Sequence, residues 1–265
     1  GTGWLGRALA RVLPGPVVAC SRHGRWPDAP PHVRVCALDI TTDPLPALPI
    51  GAATTVVVAV AVGAGSRRGP EGDAVRRALY VEGTRRLLAA LLPGVRTVFV
   101  GSTSALPDRD AWLDETCDEP PTTARGRTQR DAEAVVLGQH PHNLVLRMGG
   151  LYGPDRELQA LYRNRAPDVV RPGDGMAPTN LIHREDAVAA LVAAVARPAL
   201  GGIVHVVADG HAARRHMYDR IAARTGQPAP RWERPPASTR PRGKRVSNLR
   251  MKLALGVRLR HPLPG

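Results

Sequence analysis

Aromatic side chains and lysines are scarce in this sequence of 265 residues. Phe, Trp and Tyr together make up 3% of the residues, which leaves few flat surfaces on which nucleic-acid bases could stack. The only lysines are Lys244 and Lys252, so the formal net charge of +14 is carried almost entirely by arginines dispersed along the chain. A strongly basic protein can bind nucleic acid. Because these arginines form no block and aromatics are so few, we do not expect a nucleic-acid partner.

Long apolar runs and metal-like cysteine spacings are also missing. The longest apolar run, VVVAVAVGAG after Thr55, is too short to cross a membrane and predicts a buried parallel strand. No secretory signal pattern is present, and the first residue is Gly1. The cysteines, Cys20, Cys36 and Cys117, are scattered as in proteins of a reducing compartment. We therefore expect a cytoplasmic protein with no metal site and no membrane partner.

Strand-like and helix-like segments alternate along the chain. Runs such as PVVACSR, TTVVVAVAV and RTVFVGSTS have strand character, whereas EGDAVRRALYVEGTRRLLAALL has helical periodicity. This alternation predicts an α/β fold, a doubly wound parallel sheet of Rossmann type with helices on both faces. We assign residues 1–150 to a dinucleotide-binding domain, to which residues 179–208 return.

Two stretches interrupt the alternation, residues 152–178 and the Pro- and Arg-rich residues 226–243. In doubly wound proteins such material commonly builds a lid over the strand ends, where ligands bind. We therefore assign residues 151–178 and 209–265 to a smaller substrate-side region. A plain surface loop remains the alternative for the Pro-rich stretch.

The first six residues, GTGWLG, match the dinucleotide fingerprint G-x-G-x-x-G, which predicts a cofactor-binding turn formed by Gly1, Gly3, Trp4, Leu5 and Gly6. The glycines allow a tight turn, close approach of a diphosphate and close packing of the following helix, whose N-terminus attracts an anion. The pattern is stronger because a helix and a strand follow it. The strand that should precede the turn has no residues, so we expect a trimmed or misassigned start.

The second strand ends in Ser21 and Arg22, where an NAD site usually has an acid for the ribose hydroxyls. The nearest acid is Asp28, beyond a loop. Ser21 and Arg22 suit a 2′-phosphate, which predicts NADP as cofactor, with NAD as the alternative. The alternative, that Arg22 is one of many surface arginines, is less favoured.

With these parts in place, the chain resembles the extended and atypical short-chain dehydrogenase/reductases, the NAD-dependent epimerase/dehydratase family. The resemblance rests on LDI, YVEGTRRLLAA, VFVGSTSAL, LRMGGLYGP and NLIHREDAVAAL, and on GKRVSN, which is similar to a tail segment of the YeeZ-like branch. It implies that Asp39 and Ile40 contact the adenine. It also places the active-site Ser/Thr on Ser102, with Thr103 as its neighbour.

One segment departs from the family pattern. Where the family helix reads Y-G-R-S-K, this chain reads Arg-Gly-Arg-Thr-Gln, which puts Arg125 in the place of the Tyr acid and Gln129 in the place of the Lys that holds the nicotinamide ribose. An arginine keeps its proton and is a poor general acid or base, and a neutral Gln cannot lower the pKa of a neighbour by its charge. No tyrosine elsewhere has a lysine four residues later. The sequence therefore predicts an atypical active site without the Tyr-x-x-x-Lys dyad.

The candidate catalytic residues each have a structural alternative. Ser102 could hydrogen-bond a substrate oxygen or cap a strand-to-loop turn, and Thr103 is its neighbour. Tyr152 could replace the missing acid, although packing under the lid is the favoured role. Arg125, on one helix face with Gln129, could clamp an anionic substrate or be a solvated surface charge.

Two classes of function survive. The first is an NADP-dependent oxidoreductase, epimerase or dehydratase that acts on a small molecule, either a sugar nucleotide or a compound of secondary metabolism, by a non-standard mechanism. The second is a non-catalytic NADP(H)-binding regulator or redox sensor. For either class we allow for a homodimer.

Overall fold

The computed structural model describes residues 2–45, 55–62, 69–163, 168–236 and 242–264. Within these ranges the chain forms eight α-helices and ten strands, with a π-helical stretch (Ala78–Gly83) and a short 3₁₀ turn (Thr103–Ala105). None of the helices in these ranges is long and apolar enough to span a bilayer.

A four-stranded parallel sheet forms the centre of the fold, with the strand order β3-β4-β6-β9. Its strands are β3 (Thr55–Val58), β4 (Arg96–Ser102), β6 (Leu144–Met148) and β9 (Gly202–Val206). All of β6 is buried, as expected for a central parallel strand covered on both faces. The predicted α/β class with a parallel sheet is therefore confirmed.

Neighbouring side chains on a strand point to opposite faces of the sheet. Both faces of this sheet are apolar, and helices cover both. Val98 of β4 joins one apolar core and Phe99 joins the other. The first core packs against α1 (Trp4–Val12), α6 (Arg184–Val195) and α8 (Leu249–Leu255). The second packs against the π-helical stretch, α3 (Thr84–Ala89) and α4 (Ala124–Leu137). Helix α2 (Pro70–Arg77) directly precedes the π-helical stretch.

Strands β1 (Val17–Ser21) and β2 (Val33–Ala37) form a separate parallel pair that also packs against α1. Between the described ranges, no hydrogen-bonded ladder joins this pair to β3. The strand predicted before the glycine turn, like Gly1 itself, lies outside the described residues.

The remaining elements are two short strand pairs, each of which joins segments of both predicted regions, and two helices. They are β5 (Trp112–Leu113) paired with β10 (Arg245–Val246), β7 (Gly150–Tyr152) paired with β8 (Leu181–His183), and the helices α5 (Leu158–Tyr162) and α7 (Arg214–Thr225). Met251 and Leu255 of α8, however, pack in the central core. The division into two regions stays a prediction.

Candidate functional site

The glycine turn leads directly into α1. Gly3 is the N-cap residue with extended backbone (φ −72°, ψ 177°), and no side chain caps this helix end. The first turn of α1 contains no acidic residue, and a Cβ added at Gly3 would meet no atom within 4 Å. The N–H groups of this turn are therefore open to an anion, while Leu5 and Gly6 are buried against the sheet.

Ser21 and Arg22 lie in a tight turn at the end of β1. The Gly24 N–H donates to the Ser21 carbonyl (3.1 Å), and Gly24 has φ +58°. A Cβ at Gly24 would be 2.7 Å from the Ala37 nitrogen, so only glycine lets the turn fold against the end of β2. The turn leaves Arg22 exposed and close enough to Asp39 for its charge to contribute to lowering the pKa of that carboxyl.

Asp39 and Ile40 follow β2 at this same corner. The side-chain hydroxyl of Thr41 (2.5 Å) and its backbone N–H (2.9 Å) both donate to Asp39 Oδ1, and these bonds are the main reason that the pKa of Asp39 is lowered. Ile40 is 8% exposed and packs against Gly83. The structure thus brings the ionised Asp39 carboxylate close to the Arg22 guanidinium. Asp39 is half-buried and Arg22 is exposed.

Ser102 ends β4 and its hydroxyl already has partners. Its Oγ accepts from the backbone N–H (3.2 Å) and hydroxyl (3.1 Å) of Ser104, which caps the 3₁₀ turn. The Ser102 hydroxyl hydrogen is left for another acceptor. The carbonyl of the neighbouring Thr103 accepts from Lys244 Nζ at 3.2 Å, as does that of Leu106. Sequence reasoning missed Lys244, whose pKa is lowered by burial.

Helix α4 begins against the Ser102 turn. The Thr123 hydroxyl accepts from the Gly126 N–H (3.0 Å), and a Cβ at Gly126 would be 2.4 Å from the Ser104 carbonyl oxygen. Arg125 in this first turn is exposed.

Gln129, one turn later, is 5% exposed, and its Oε1 is a buried acceptor without a hydrogen-bond partner in the described structure. An unpartnered buried acceptor is costly. A cofactor ribose hydroxyl would supply the missing donor, so Gln129 fits the nicotinamide ribose that the family resemblance places here.

A buried ion pair fixes α4 to the sheet. Arg147 on β6 donates two hydrogen bonds to Glu133 on α4, at 2.9 and 2.7 Å, and both side chains are almost fully buried. The ring of His205 on β9 lies 3.4 Å from Arg147 Nη1. Burial, reinforced by the Arg147 charge, lowers the pKa of His205 to about 3, so this imidazole is neutral. Sequence reasoning missed the pair, whose signal was an arginine inside the apolar strand LVLRM.

Tyr152 packs among apolar side chains, with Leu181 and Met217 in its cluster. It is 8% exposed, and its ring makes an edge contact with His183 (5.1 Å between centroids). Burial raises the pKa of Tyr152, which makes it a weaker acid. These contacts favour the packing role over the catalytic one.

One group of side chains in the described ranges is close enough to hold a metal ion. The ligand atoms of His183, Glu185 and His261 lie within 4.8 Å of one another. His261 Nε2 is 3.1 Å from the Glu185 carboxylate, and His183 Nδ1 accepts from the Glu185 N–H. Because every member already has a protein partner, the group serves to fasten the C-terminal segment to the start of α6.

Comparison with known proteins gives a consistent picture. The sequence model of the NAD dependent epimerase/dehydratase family matches residues 1–208. Protein YeeZ of Escherichia coli (strain K12) is 29% identical over 75% of this chain and 70% of YeeZ. A 3-diazoavenalumate denitrifying reductase from a Streptomyces species is 32% identical over 73% of this chain and 71% of the reductase. The structure of MoeE5 in complex with UDP-glucuronic acid and NAD has a TM-score of 0.77 and 23% identity, over 97% of this chain and 91% of MoeE5, which shows the shared fold.

Proposed function

Because this chain belongs to the NAD-dependent epimerase/dehydratase family, we propose that it is an NADP(H)-dependent reductase whose substrate accepts a hydride without a proton from the protein. The observation that carries the proposal is the pair Arg125 and Gln129 on α4, in the positions where the family resemblance places Tyr and Lys. The residues that suit the cofactor and the absence of the tyrosine acid each support the proposal.

The residues that would hold the cofactor lie at the carboxyl ends of the strands and at the start of α1. The open N–H groups after Gly3 suit the diphosphate, Arg22 suits a 2′-phosphate, and Asp39 suits the adenine amine. Gln129 would accept a hydrogen bond from the nicotinamide ribose. The preference for NADP over NAD rests on Ser21 and Arg22 at the end of β1.

Ser102, Arg125 and Tyr152 do not fit the role of the family's tyrosine acid, and Lys244, which lies near Thr103, donates to the carbonyls of Thr103 and Leu106. A guanidinium does not give up its proton, so Arg125 cannot protonate a developing alkoxide. Tyr152 is packed away with a raised pKa, and the Ser102 hydroxyl is an acceptor in the 3₁₀ turn. Reduction of an ordinary ketone would therefore be slow, because acid–base help is worth roughly 10² to 10⁴ in rate.

A cationic electrophile removes this requirement. When bound, the reduced nicotinamide supplies a hydride. Hydride addition to the terminal nitrogen of an aryl diazonium ion neutralises its charge and gives an aryl diazene, which loses N₂ and keeps the hydrogen on the ring. The Streptomyces relative carries a name that specifies a diazo substituent, a carboxylate and reduction with loss of nitrogen. We propose the same substrate class here, an aryl diazonium carboxylate of secondary metabolism, with the exposed Arg125 holding the carboxylate bidentately.

The missing acid equally supports a second candidate, a non-catalytic NADP(H)-binding regulator. The two candidates share the cofactor contacts and differ in turnover. A sugar-nucleotide substrate, as bound by MoeE5, would need the ordinary acid and is disfavoured by the Arg125 and Gln129 pair.

The test is steady-state NADPH oxidation with four substrates: an aryl diazonium carboxylate, the same aryl diazonium without the carboxylate, and the ketones that match each of them. We expect turnover of the diazonium carboxylate above the enzyme-free rate and little reduction of either ketone. Arg125→Ala should raise the KM of the diazonium carboxylate but not that of the diazonium without a carboxylate. The control Arg127→Ala, also exposed on α4, should change neither KM. Tight NADPH binding without any turnover would favour the regulator, and brisk ketone reduction would contradict the proposal.

A further inference from the structure

Trp4 connects the glycine turn to the loop that follows β7. It is the first residue of α1, directly after Gly3, and its indole N–H donates to the Pro154 carbonyl at 3.0 Å. The indole is only half-buried. Its hydrogen bond joins the residue after Gly3 to the Tyr-Gly-Pro segment.

Two arginines from different segments stack on this indole. The guanidinium carbon of Arg184, at the start of α6, lies 4.7 Å from the ring centroid, and that of Arg156 lies 5.9 Å from it. The loop is shaped for this contact. A Cβ at Gly153 (φ +149°) would be 3.1 Å from Arg184 Cβ, and Asp155 is the only non-glycine residue in the described ranges with a positive φ (+64°).

The two guanidiniums lack a carboxylate partner in the part of the chain that the structure describes. Glu185, next to Arg184, has its carboxylate on His261, and Asp186 accepts from the N–H groups of Arg260 and His261. Two cations on one aromatic ring repel each other, and stacking on the ring offsets only part of this repulsion. An anion bound by both guanidiniums would offset it.

We propose that Arg156 and Arg184, held in place by Trp4, bind the diphosphate of the nicotinamide cofactor from the side opposite the glycine turn. The proposal rests on the proposed function only in requiring a dinucleotide cofactor. The diphosphate is the anion that the N–H groups after Gly3 would hold, and two guanidiniums can each donate to its oxygens in a fork. A carboxylate of the substrate has the same chemistry and is the competing source of the anion.

NADPH and NADH both carry the diphosphate, whereas only NADPH carries the 2′-phosphate that we assign to Arg22. The effect of replacing Arg156 or Arg184 can therefore be distinguished from the effect of replacing Arg22. We expect Arg184→Gln and Arg156→Gln each to raise the Kd of both NADPH and NADH by roughly 10- to 100-fold, the usual consequence of losing a hydrogen bond to a charged group. The measurement is the quenching of intrinsic protein fluorescence by each cofactor, without substrate. Arg224→Gln, an exposed arginine on α7, is the matched control. Arg156 is exposed, so Arg156→Gln should leave the thermal unfolding midpoint unchanged. This variant therefore tests the proposal even if Arg184→Gln lowers the midpoint.

The outcomes separate the two proposals. If the wild-type protein binds NADPH and both variants bind it equally well, the clamp is wrong and the proposed function stands. If the variants lose binding of the substrate carboxylate and keep cofactor affinity, the arginines serve the substrate and the clamp is again wrong. Failure of the wild-type protein to bind either cofactor would overturn both proposals.

Discussion

The polar groups differ between two regions of this protein, which we call the cofactor corner and the reaction corner. At the cofactor corner, the start of α1 has no cap, Arg22 is exposed, and Arg156 and Arg184 stack on Trp4. At the reaction corner, Ser102 caps a turn, Tyr152 is packed, and Glu133 and Arg147 are buried together. Of the groups that suit a ligand, the uncapped helix start and the three arginines lie at the first corner, and Gln129 lies at the second. On our proposal, the first corner holds a dinucleotide and the second lacks the tyrosine acid that usually moves a proton in the family.

The largest effect should come from breaking the buried pair under the reaction corner. Glu133→Ala leaves Arg147 charged and fully buried, so we expect the free energy of unfolding to fall by about 3–5 kcal/mol. Urea denaturation measures this change. Asp131→Ala on the same helix, which breaks the exposed pair with Arg77, is the control and should cost far less than Glu133→Ala. Equal effects for the two variants would show that the buried pair does not anchor α4.

At the cofactor corner, Arg22→Ala should raise the Kd of NADPH by roughly 10- to 100-fold and leave that of NADH nearly unchanged, because only NADPH carries the 2′-phosphate. Isothermal titration calorimetry with both cofactors checks this expectation. Arg34→Ala, exposed on β2, is the matched control. Tighter binding of NADH than of NADPH by the wild-type protein would refute the NADP assignment.

The reaction corner can be pushed toward the family pattern. The double change Arg125→Tyr with Gln129→Lys restores an acid and a lysine one helical turn apart, so we expect ketone reduction to rise roughly tenfold or more, within the range that acid–base help provides. NADPH oxidation with an aryl ketone measures the gain. Arg127→Tyr with Gln129→Lys places the tyrosine off the helix position and should gain nothing. The same rate in both double variants would mean that position 125 does not face the substrate.

A smaller effect should appear in the pH dependence of stability. The pKa of His205 is lowered to about 3 in the folded protein, below its unfolded value, so the unfolded chain binds the proton more readily. The stabilisation is fully present above the unfolded pKa of about 6.5 and is lost as the pH falls toward 3. We expect His205→Asn to flatten the decline of the thermal unfolding midpoint over this window. An unchanged slope would show that other groups cause it.

Local patterns predicted the parts of this structure that depend on local chemistry. The glycine turn, the end of β1 at Ser21 and the start of α4 near Ala124 follow from turn residues and apolar periodicity. The two apolar cores follow from strands without polar alternation. These features need only neighbouring residues, which is why a single sequence sufficed.

The parts that sequence reasoning missed depend on contacts between distant segments. Arg147 meets His205 across 58 positions, and Lys244 reaches the Thr103 carbonyl across 141. The helix predicted as one run from residue 71 is interrupted by the π-helical stretch at Ala78–Gly83, where Gly83 packs against Ile40. No periodicity in the sequence marks such partners, because each is set by the packing of the folded chain.

The central claim, that hydride transfer here needs no proton from the protein, is tested most directly by the single-turnover rate of NADPH oxidation as a function of pH. With an aryl diazonium carboxylate as substrate, we expect a rate that stays constant between about pH 6 and 9 and is equal in H₂O and D₂O, because no group on the protein must hold or release a proton. A bell-shaped profile with a clear solvent isotope effect would contradict the account, since a protein acid would then be acting in the rate-limiting step.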